Sequence, residues 1–321
     1  MVYSRFTQVR KIGEMLEESF QGPLRSGSGR ISEVRPSDGV GMVIGGEVGY
    51  RLLRCFPPSP SWRSRLTSCS SLKPGKLEQY WGSGIWDEVA GRTVIDFGCS
   101  TGADAIEIAK RGAKQVIGLD IVQEALEVAA RAAERAGVAD RCTFCTSTSV
   151  LADRIICIDA FEHFADPAKV LGTMARLLRA DGFIYVSFGP TWYHPYGGHS
   201  FSVFPWAHLL FTEKALLRWR SGYCDDGATR FREVKGGLNQ MTIQRFERLI
   251  RESPFQLTRF EAIPIRSARL LHNRLTRELL TSMVRCELAF KGRARGMARE
   301  EGEGRHLQPT STLQAYETTA T

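Results

Sequence analysis

The stretch Val94-Ile95-Asp96-Phe97-Gly98-Cys99-Ser100-Thr101-Gly102 constrains this chain more than any other part of it. Two β-branched residues lead into an acid, and the small residues that follow let the backbone turn sharply and approach a ligand. A helical apolar pattern then runs from Ala103 to Arg111. The next apolar run, Gln115-Val116-Ile117-Gly118-Leu119, ends on Asp120, 22 positions past Gly98. A doubly wound sheet places an acid at that point, where it accepts both hydroxyls of a ribose. The unit therefore predicts strand, turn and helix around an adenosine-containing cofactor.

Two cofactors use a turn of this kind, a nicotinamide dinucleotide and S-adenosylmethionine. The turn Gly98-Cys99-Ser100-Thr101-Gly102-Ala103 fits the dinucleotide pattern only if Ser100 replaces the central glycine that lets a pyrophosphate approach. It fits a G-x-x-x-G turn without strain. Further on, Ile155 to Ile158 reads as a buried strand, and Asp159-Ala160-Phe161-Glu162-His163-Phe164-Ala165-Asp166-Pro167 as an acidic, aromatic loop. A helix over 168–179 and Asp181-Gly182 precede the strand Phe183-Ile184-Tyr185-Val186-Ser187-Phe188. With these three motifs in order, residues 77 to about 190 resemble the class I S-adenosylmethionine-dependent methyltransferases, in particular the small-molecule, methyltransferase-11-like branch.

That resemblance implies an α/β fold, a doubly wound and mostly parallel seven-stranded sheet of Rossmann-like type, with one late strand reversed. It also implies S-adenosyl-L-methionine as cofactor. Gly98, Ser100 and Gly102 would line its methionine part with Asp96 under the amino group, and Asp120, with Ile121 beside it, would take the ribose. Asp159 and the Phe161-Glu162-His163 loop would flank the cofactor near the methyl group. Two departures from the family stand out. Ser100 occupies a position that is usually glycine, and residues 146–154 are too short for the helix and adenine contact that relatives fit there. Asp153 and Ser147 are the candidates for that contact.

The element pattern places strands near 93–97, 115–119, 141–146, 154–158 and 183–188, with helices near 103–111, 122–136 and 168–179. This alternation predicts a parallel sheet. Phe255 to Phe260 and Cys286 to Phe290 read as the last two strands. Glycine, serine, proline and arginine clusters mark 1–76 as a poorly ordered basic extension, and 292–321 is expected to be a disordered tail with no core to bury. The methyltransferase domain is then 77–291, with a substrate loop and lid insert over 189–254.

No apolar run approaches the ~18 residues a bilayer span needs, and the start Met1-Val2-Tyr3-Ser4-Arg5-Phe6 has no apolar signal core, so a cytoplasmic enzyme is expected. The eight cysteines form no disulfide framework, and Cys142-Thr143-Phe144-Cys145 lacks the second ligand pair of a zinc site, so no metal is expected. The net charge of +8 is peripheral. Arg266, Arg269, Arg274, Arg277 and Arg285 lie near a helically spaced stripe of Leu271, Leu275, Leu279 and Met283. This pattern fits either an anionic substrate, nucleic acid or membrane headgroup, or simply a solvated helix face.

Ligands of open α/β sheets sit beyond the carboxyl ends of the strands, which makes the segment after Phe188 the place for acceptor specificity. Thr191-Trp192-Tyr193-His194-Pro195-Tyr196-Gly197-Gly198-His199 packs two histidines, two tyrosines and a tryptophan into a stiff loop. An imidazole can take a proton near neutral pH, so His194 or His199 is the candidate base. Tyr196 and its aromatic neighbours can cover an aromatic or cationic substrate. Hydrogen bonds that merely stitch the loop to the domain are the alternative role for each. Three function classes follow: a small-molecule methyltransferase acting on oxygen, nitrogen or carbon; a nucleic-acid methyltransferase, which the basic flanks suggest; and a cofactor-binding relative with little catalysis. The second lacks the N/D-P-P-Y signature, since Asp159-Ala160-Phe161-Glu162 stands in its place.

Overall fold

A computed structural model describes residues 44–58, 75–199, 205–224, 227–233 and 238–292. The described elements begin with α1 (Gly46–Arg54), α2 (Leu77–Trp81) and α3 (Ile85–Val89). The first half of the sheet follows as β1 (Thr93–Phe97), α4 (Ala103–Lys110), β2 (Gln115–Leu119), α5 (Gln123–Arg135), β3 (Cys142–Cys145) and β4 (Ala152–Ile158). The second half comprises α6 (Pro167–Leu177), β5 (Leu178–Phe188), α7 (Ala207–Leu210), α8 (Glu213–Ser221), α9 (Ile243–Glu252), β6 (Phe255–Pro264), α10 (Arg277–Leu280) and β7 (Thr281–Phe290).

The seven strands lie in the order β3-β2-β1-β4-β5-β7-β6. The pairings from β3 to β5 are parallel, whereas β7 runs antiparallel to both β5 and β6. The central strands are almost wholly apolar because helices cover both faces. On one face Ile95, Ile155, Val186 and Phe188 pack with Leu171, Met174, Phe246 and Ile250. On the other, Val94, Val116, Ile156 and Tyr185 pack with Leu77, Val89, Ile108 and Ala132. Caps set two of these helices: Asp166 accepts the Lys169 amide ahead of Pro167, and Thr242 accepts the Arg245 amide.

Three sequence expectations need correction. Helix α9 lies within the expected lid insert, yet Ile243, Phe246 and Ile250 are buried in the sheet core, because its apolar residues recur along one face. Helix α1 lies within the expected N-terminal extension but is ordered. Leu53 joins Ala207, Phe211, Leu216, Leu217 and Trp219 in a separate apolar cluster, and Ile44 exchanges backbone hydrogen bonds with Leu210 and Thr212. Finally, the helical spacing from Leu271 to Met283 does not produce one helix. Residues 266–271 form a 3-10 turn, α10 spans a single turn, and β7 begins at Thr281, so pairing with β6 overrides the helical period. The remainder of the expected extension and the tail from 293 lie outside the described residues.

Candidate functional site

The chain leaves β1 toward β2 on one side and crosses to β4 on the other, so a crevice opens at the carboxyl ends of β1 and β4. The glycine-rich turn forms its floor. Gly98 and Gly102 have φ of +85° and +79°, a conformation costly for any residue with a Cβ. Space is equally restrictive: a Cβ on Gly98 would lie 2.7 Å from the Cβ of Ala160, and one on Gly102 2.8 Å from that of Ala129. Ser100 also sits in the left-handed region, at +49°. Its amide donates to Oδ2 of Asp120 at 2.8 Å, while the Val122 amide donates to Oδ1 at 2.9 Å. The turn and the β2 acid therefore form one wall of a single crevice. Ile121 beside them is 57% exposed despite its apolar side chain.

Carboxylates gather here. Asp96 is buried near the end of β1 and accepts the Ala105 amide. Burial, reinforced by Asp104 and Asp120, raises its pKa well above the usual carboxylate range. Asp104 is likewise raised by burial, opposed by the amides of Lys76 and Leu77, which donate to its Oδ1 at 2.7 and 3.3 Å. A cation in the crevice would relieve this accumulation of negative charge.

The third acid, Asp159, follows β4 with φ of +48°. Its Oδ2 takes Lys76 Nζ at 2.5 Å and the Tyr80 hydroxyl at 2.9 Å, and its Oδ1 accepts the Ser187 hydroxyl at 2.9 Å. Asp159 thus ties α2 and the residue before it to the ends of β4 and β5. Its sequence gave no sign of this, since Lys76 and Tyr80 lie some 80 positions away.

The loop expected to flank the methyl group holds an acid, Glu162, to which the sequence assigned no role of its own. Glu162 is only 3% exposed, its Oε1 accepts the Gly189 amide at 3.2 Å, and its Oε2 is buried with no hydrogen-bond partner among the described residues. Burial, opposed by His163 and reinforced by Asp159, pushes its pKa up to about 7. His163 meets His199 edge to face, with ring centroids 5.6 Å apart. The structure therefore brings Asp159, Glu162, His163 and His199 together beyond β4 and β5.

The expected base candidates separate. His194 Nδ1 accepts the Tyr196 amide at 3.0 Å, and its ring lies 6.1 Å from that of Tyr196, which fits a turn-stabilising role for both. His199 hydrogen-bonds the backbone of Pro190, while its Nε2 is buried with no partner among the described residues. Burial lowers the pKa of His194 to about 4 and of His199 to about 3, so both are neutral at pH 7. Stitching also dominates nearby. Trp206 donates its indole N–H to the Tyr193 carbonyl at 3.0 Å, and the His208 ring nitrogen meets the Trp192 carbonyl at 2.6 Å.

Two other expected residues fall elsewhere. The Phe161 ring is fully buried against Phe188 and Phe246, so its side chain belongs to the core rather than the crevice. Asp153 lies at the opposite end of the sheet, where it accepts the Thr93 amide at 2.8 Å and pairs with Arg179. It lies within β4 rather than preceding it, because that strand starts at Ala152, two residues earlier than expected. Ser147 follows β3 on the crevice side, with no helix between β3 and β4.

Fold and crevice together define an open, doubly wound α/β domain with a ligand crevice at the carboxyl ends of its strands. Residues 88–189, from α3 to the end of β5, match the family described as a methyltransferase domain. The ubiquinone biosynthesis O-methyltransferase of Neisseria meningitidis serogroup A is 34% identical over 107 residues, 31% of this chain and 45% of that one. The ribosomal protein L11 methyltransferase of Mannheimia succiniciproducens is 49% identical over 61 residues, 19% of this chain and 20% of its own. The chain thus spans less than half the length of these relatives. A solved S-adenosylmethionine-dependent methyltransferase from Mesorhizobium loti superposes with a TM-score of 0.42 at 17% identity, covering 63% of this chain and 92% of that one.

Proposed function

We propose that this chain binds S-adenosyl-L-methionine in the β1–β4 crevice and transfers its methyl group to a hydroxyl oxygen of a small molecule. The observation that carries the reading is the junction of Ser100 and Asp120 beside the buried Asp96. It sets an acid suited to a ribose diol and an acid suited to an ammonium along one crevice. The donor set fits a cationic nucleoside. Gly98, Ser100, Gly102 and Asp96 would hold the amino-acid end, Asp120 the ribose, and Ile121 with Ser147 the adenine. When bound, the cofactor supplies an activated methyl group on a positively charged sulfur.

The chain itself has mainly to position the acceptor and exclude water. Alignment of reactants contributes ~7 to 11 kcal/mol to reactions of this kind. Lys76 and Tyr80 pull α2 toward Asp159 and so close one side of the crevice. The loop from Thr191 to His199 covers the other. Glu162 takes the acceptor proton on Oε2, since a base is most effective with a pKa near the working pH. His199, held neutral and donating its other ring nitrogen to the Pro190 carbonyl, leaves Nε2 to accept from a second donor group of the substrate. The relatives named O-methyltransferase support an oxygen acceptor. Calorimetry with S-adenosylhomocysteine tests the cofactor reading, and labelled methyl transfer to a panel of phenols and alcohols tests the acceptor. Absence of nucleoside binding would sink both.

A further inference from the structure

Among the described residues, the segment between β6 and β7, residues 265–280, carries the most exposed of the large apolar side chains. Leu270 is fully exposed, Leu275 is 92% exposed and Leu271 66% exposed. Arg266, Arg269 and Arg274 stand among them, also exposed. The single acid of the segment, Glu278, is turned inward, accepting the Ile243 and Gln244 amides at 3.0 and 2.7 Å at the start of α9. A recess of about 310 Å³ opens beside Arg274 and Arg277.

These leucines are not exposed through slackness. The Ile265 amide donates to the Leu280 carbonyl at 2.8 Å and closes the base of the segment. His272 meets the Thr281 hydroxyl at 2.9 Å, and Arg277 grips Glu247 through two bonds of 2.9 Å. The framework is therefore satisfied while its tips are bare. Exposed apolar groups concentrated in this way mark an interaction surface.

From this we infer that residues 265–280 form a docking surface for an anionic lipid bilayer, with Leu270, Leu271 and Leu275 entering the headgroup region and Arg266, Arg269 and Arg274 meeting lipid phosphates. Charge selects this occupant. A second copy of the chain pairing through the same face would set arginine against arginine. Nucleic acid would leave the leucines in water, and the segment has no aromatic ring on which a base could stack. A bilayer with anionic headgroups satisfies both features at once.

Placement adds to the argument. Phe188 pairs with Val284, and Pro264 with Thr281, so the segment emerges at the same end of the sheet as the crevice. Thr191, at the start of the acceptor loop, donates its hydroxyl to the Thr281 carbonyl at 3.2 Å. A docked molecule would turn its acceptor loop toward the lipid. This orientation suits an acceptor with an apolar tail and rests on the proposed chemistry, whereas the docking does not.

Vesicle flotation of the full chain separates the two, because it reads lipid binding without turnover. The chain should float with vesicles of phosphatidylcholine and phosphatidylglycerol, weakly or not at all with phosphatidylcholine alone, and less as salt rises. Leu270→Ser with Leu275→Ser should abolish flotation without changing the circular dichroism, as both side chains are solvent-exposed. Arg269→Gln with Arg274→Gln should weaken it by about 25-fold, at about fivefold per charge. Failure of the unaltered chain to bind mixed vesicles, or equal binding by the leucine variant, overturns the inference. So does sedimentation showing a dimer that the leucine substitutions dissolve.

Discussion

Gly189 donates its amide to Oε1 of Glu162 at 3.2 Å and so fixes the carboxyl at the junction of the β4 and β5 loops, with Oε2 left over. A buried carboxyl with one oxygen occupied and the other without a partner among the described residues is poised to exchange a proton with something that enters. Glu162→Gln keeps the Gly189 bond and removes the base. Turnover should fall about 100-fold or more while S-adenosylhomocysteine affinity by calorimetry is retained. In the unaltered chain the rate should rise with pH through about 7 as Glu162 ionises. Persistence of that limb in the glutamine variant would assign the proton transfer to another group.

The same carboxyl governs stability. Its folded pKa of about 7 lies above the ordinary 4.5, so the folded state holds the proton more tightly than the unfolded chain. The resulting stabilisation is complete below pH 4.5 and is lost as pH rises through 7, with a magnitude on the order of 3 kcal/mol. Urea unfolding between pH 5 and 8 should therefore show a decline that Glu162→Gln flattens.

Asp120 connects the cofactor turn to the end of β2, so its removal acts twice. Asp120→Ala releases the amides of Ser100 and Val122 and, on the proposed binding mode, forfeits the ribose hydroxyls. Each charge-assisted hydrogen bond contributes about 1.5 to 3 kcal/mol, so nucleoside affinity should drop at least about 100-fold. Asp120→Asn, which still accepts from a backbone amide, should lose less. Titration calorimetry reads both, and unchanged affinity in the alanine variant would dismiss the ribose assignment.

The fold was legible because its signals are local and repeated. The apolar runs at 93–97 and 115–119 fall on β1 and β2 residue for residue, and the glycine spacing from 98 to 102 falls on left-handed backbone that needs it. Pairing distorted the remaining strands: β5 begins at Leu178 and β7 at Thr281, each earlier than its own apolar pattern suggests, because a neighbouring strand extends it. Asp120 was legible from its spacing after Gly98, Asp96 and Asp159 only through the family resemblance, and Asp104 not at all. Glu162 was visible only as part of a loop, since its altered basicity comes from burial, which no local pattern reveals. The ordering of α1 depends on α8 and Leu53, more than 150 positions apart in sequence, and was equally hidden.

His194 and His199 look alike in the sequence, yet the structure predicts opposite outcomes for them. His194→Ala removes the acceptor for the Tyr196 amide and should cost about 1 kcal/mol of stability with modest effect on turnover. His199→Ala removes a buried nitrogen facing His163 and should lower turnover, with nucleoside affinity retained. Both histidines have folded pKa values below the ordinary 6.5, so the stability tied to their neutral forms is present above that pH and lost as it falls toward 4. Acid unfolding should be less steep in either variant.

Gly98 tests whether the turn tolerates any side chain. Gly98→Ala meets two obstacles, the backbone at φ of +85° and the Ala160 Cβ at 2.7 Å from the new methyl. The first costs about 1 to 2 kcal/mol for an L-residue, and the second adds strain because Ala160 is itself packed in the core. Pairing it with Ala160→Gly separates the two effects, since the second substitution removes the colliding methyl and leaves the dihedral unchanged. Thermal unfolding should place the double variant above Gly98→Ala, corrected for the cost of Ala160→Gly alone, and still below the unaltered chain. If Gly98→Ala melts like the unaltered chain, the left-handed turn is not enforced by glycine, and the crevice floor has a different shape from the one described.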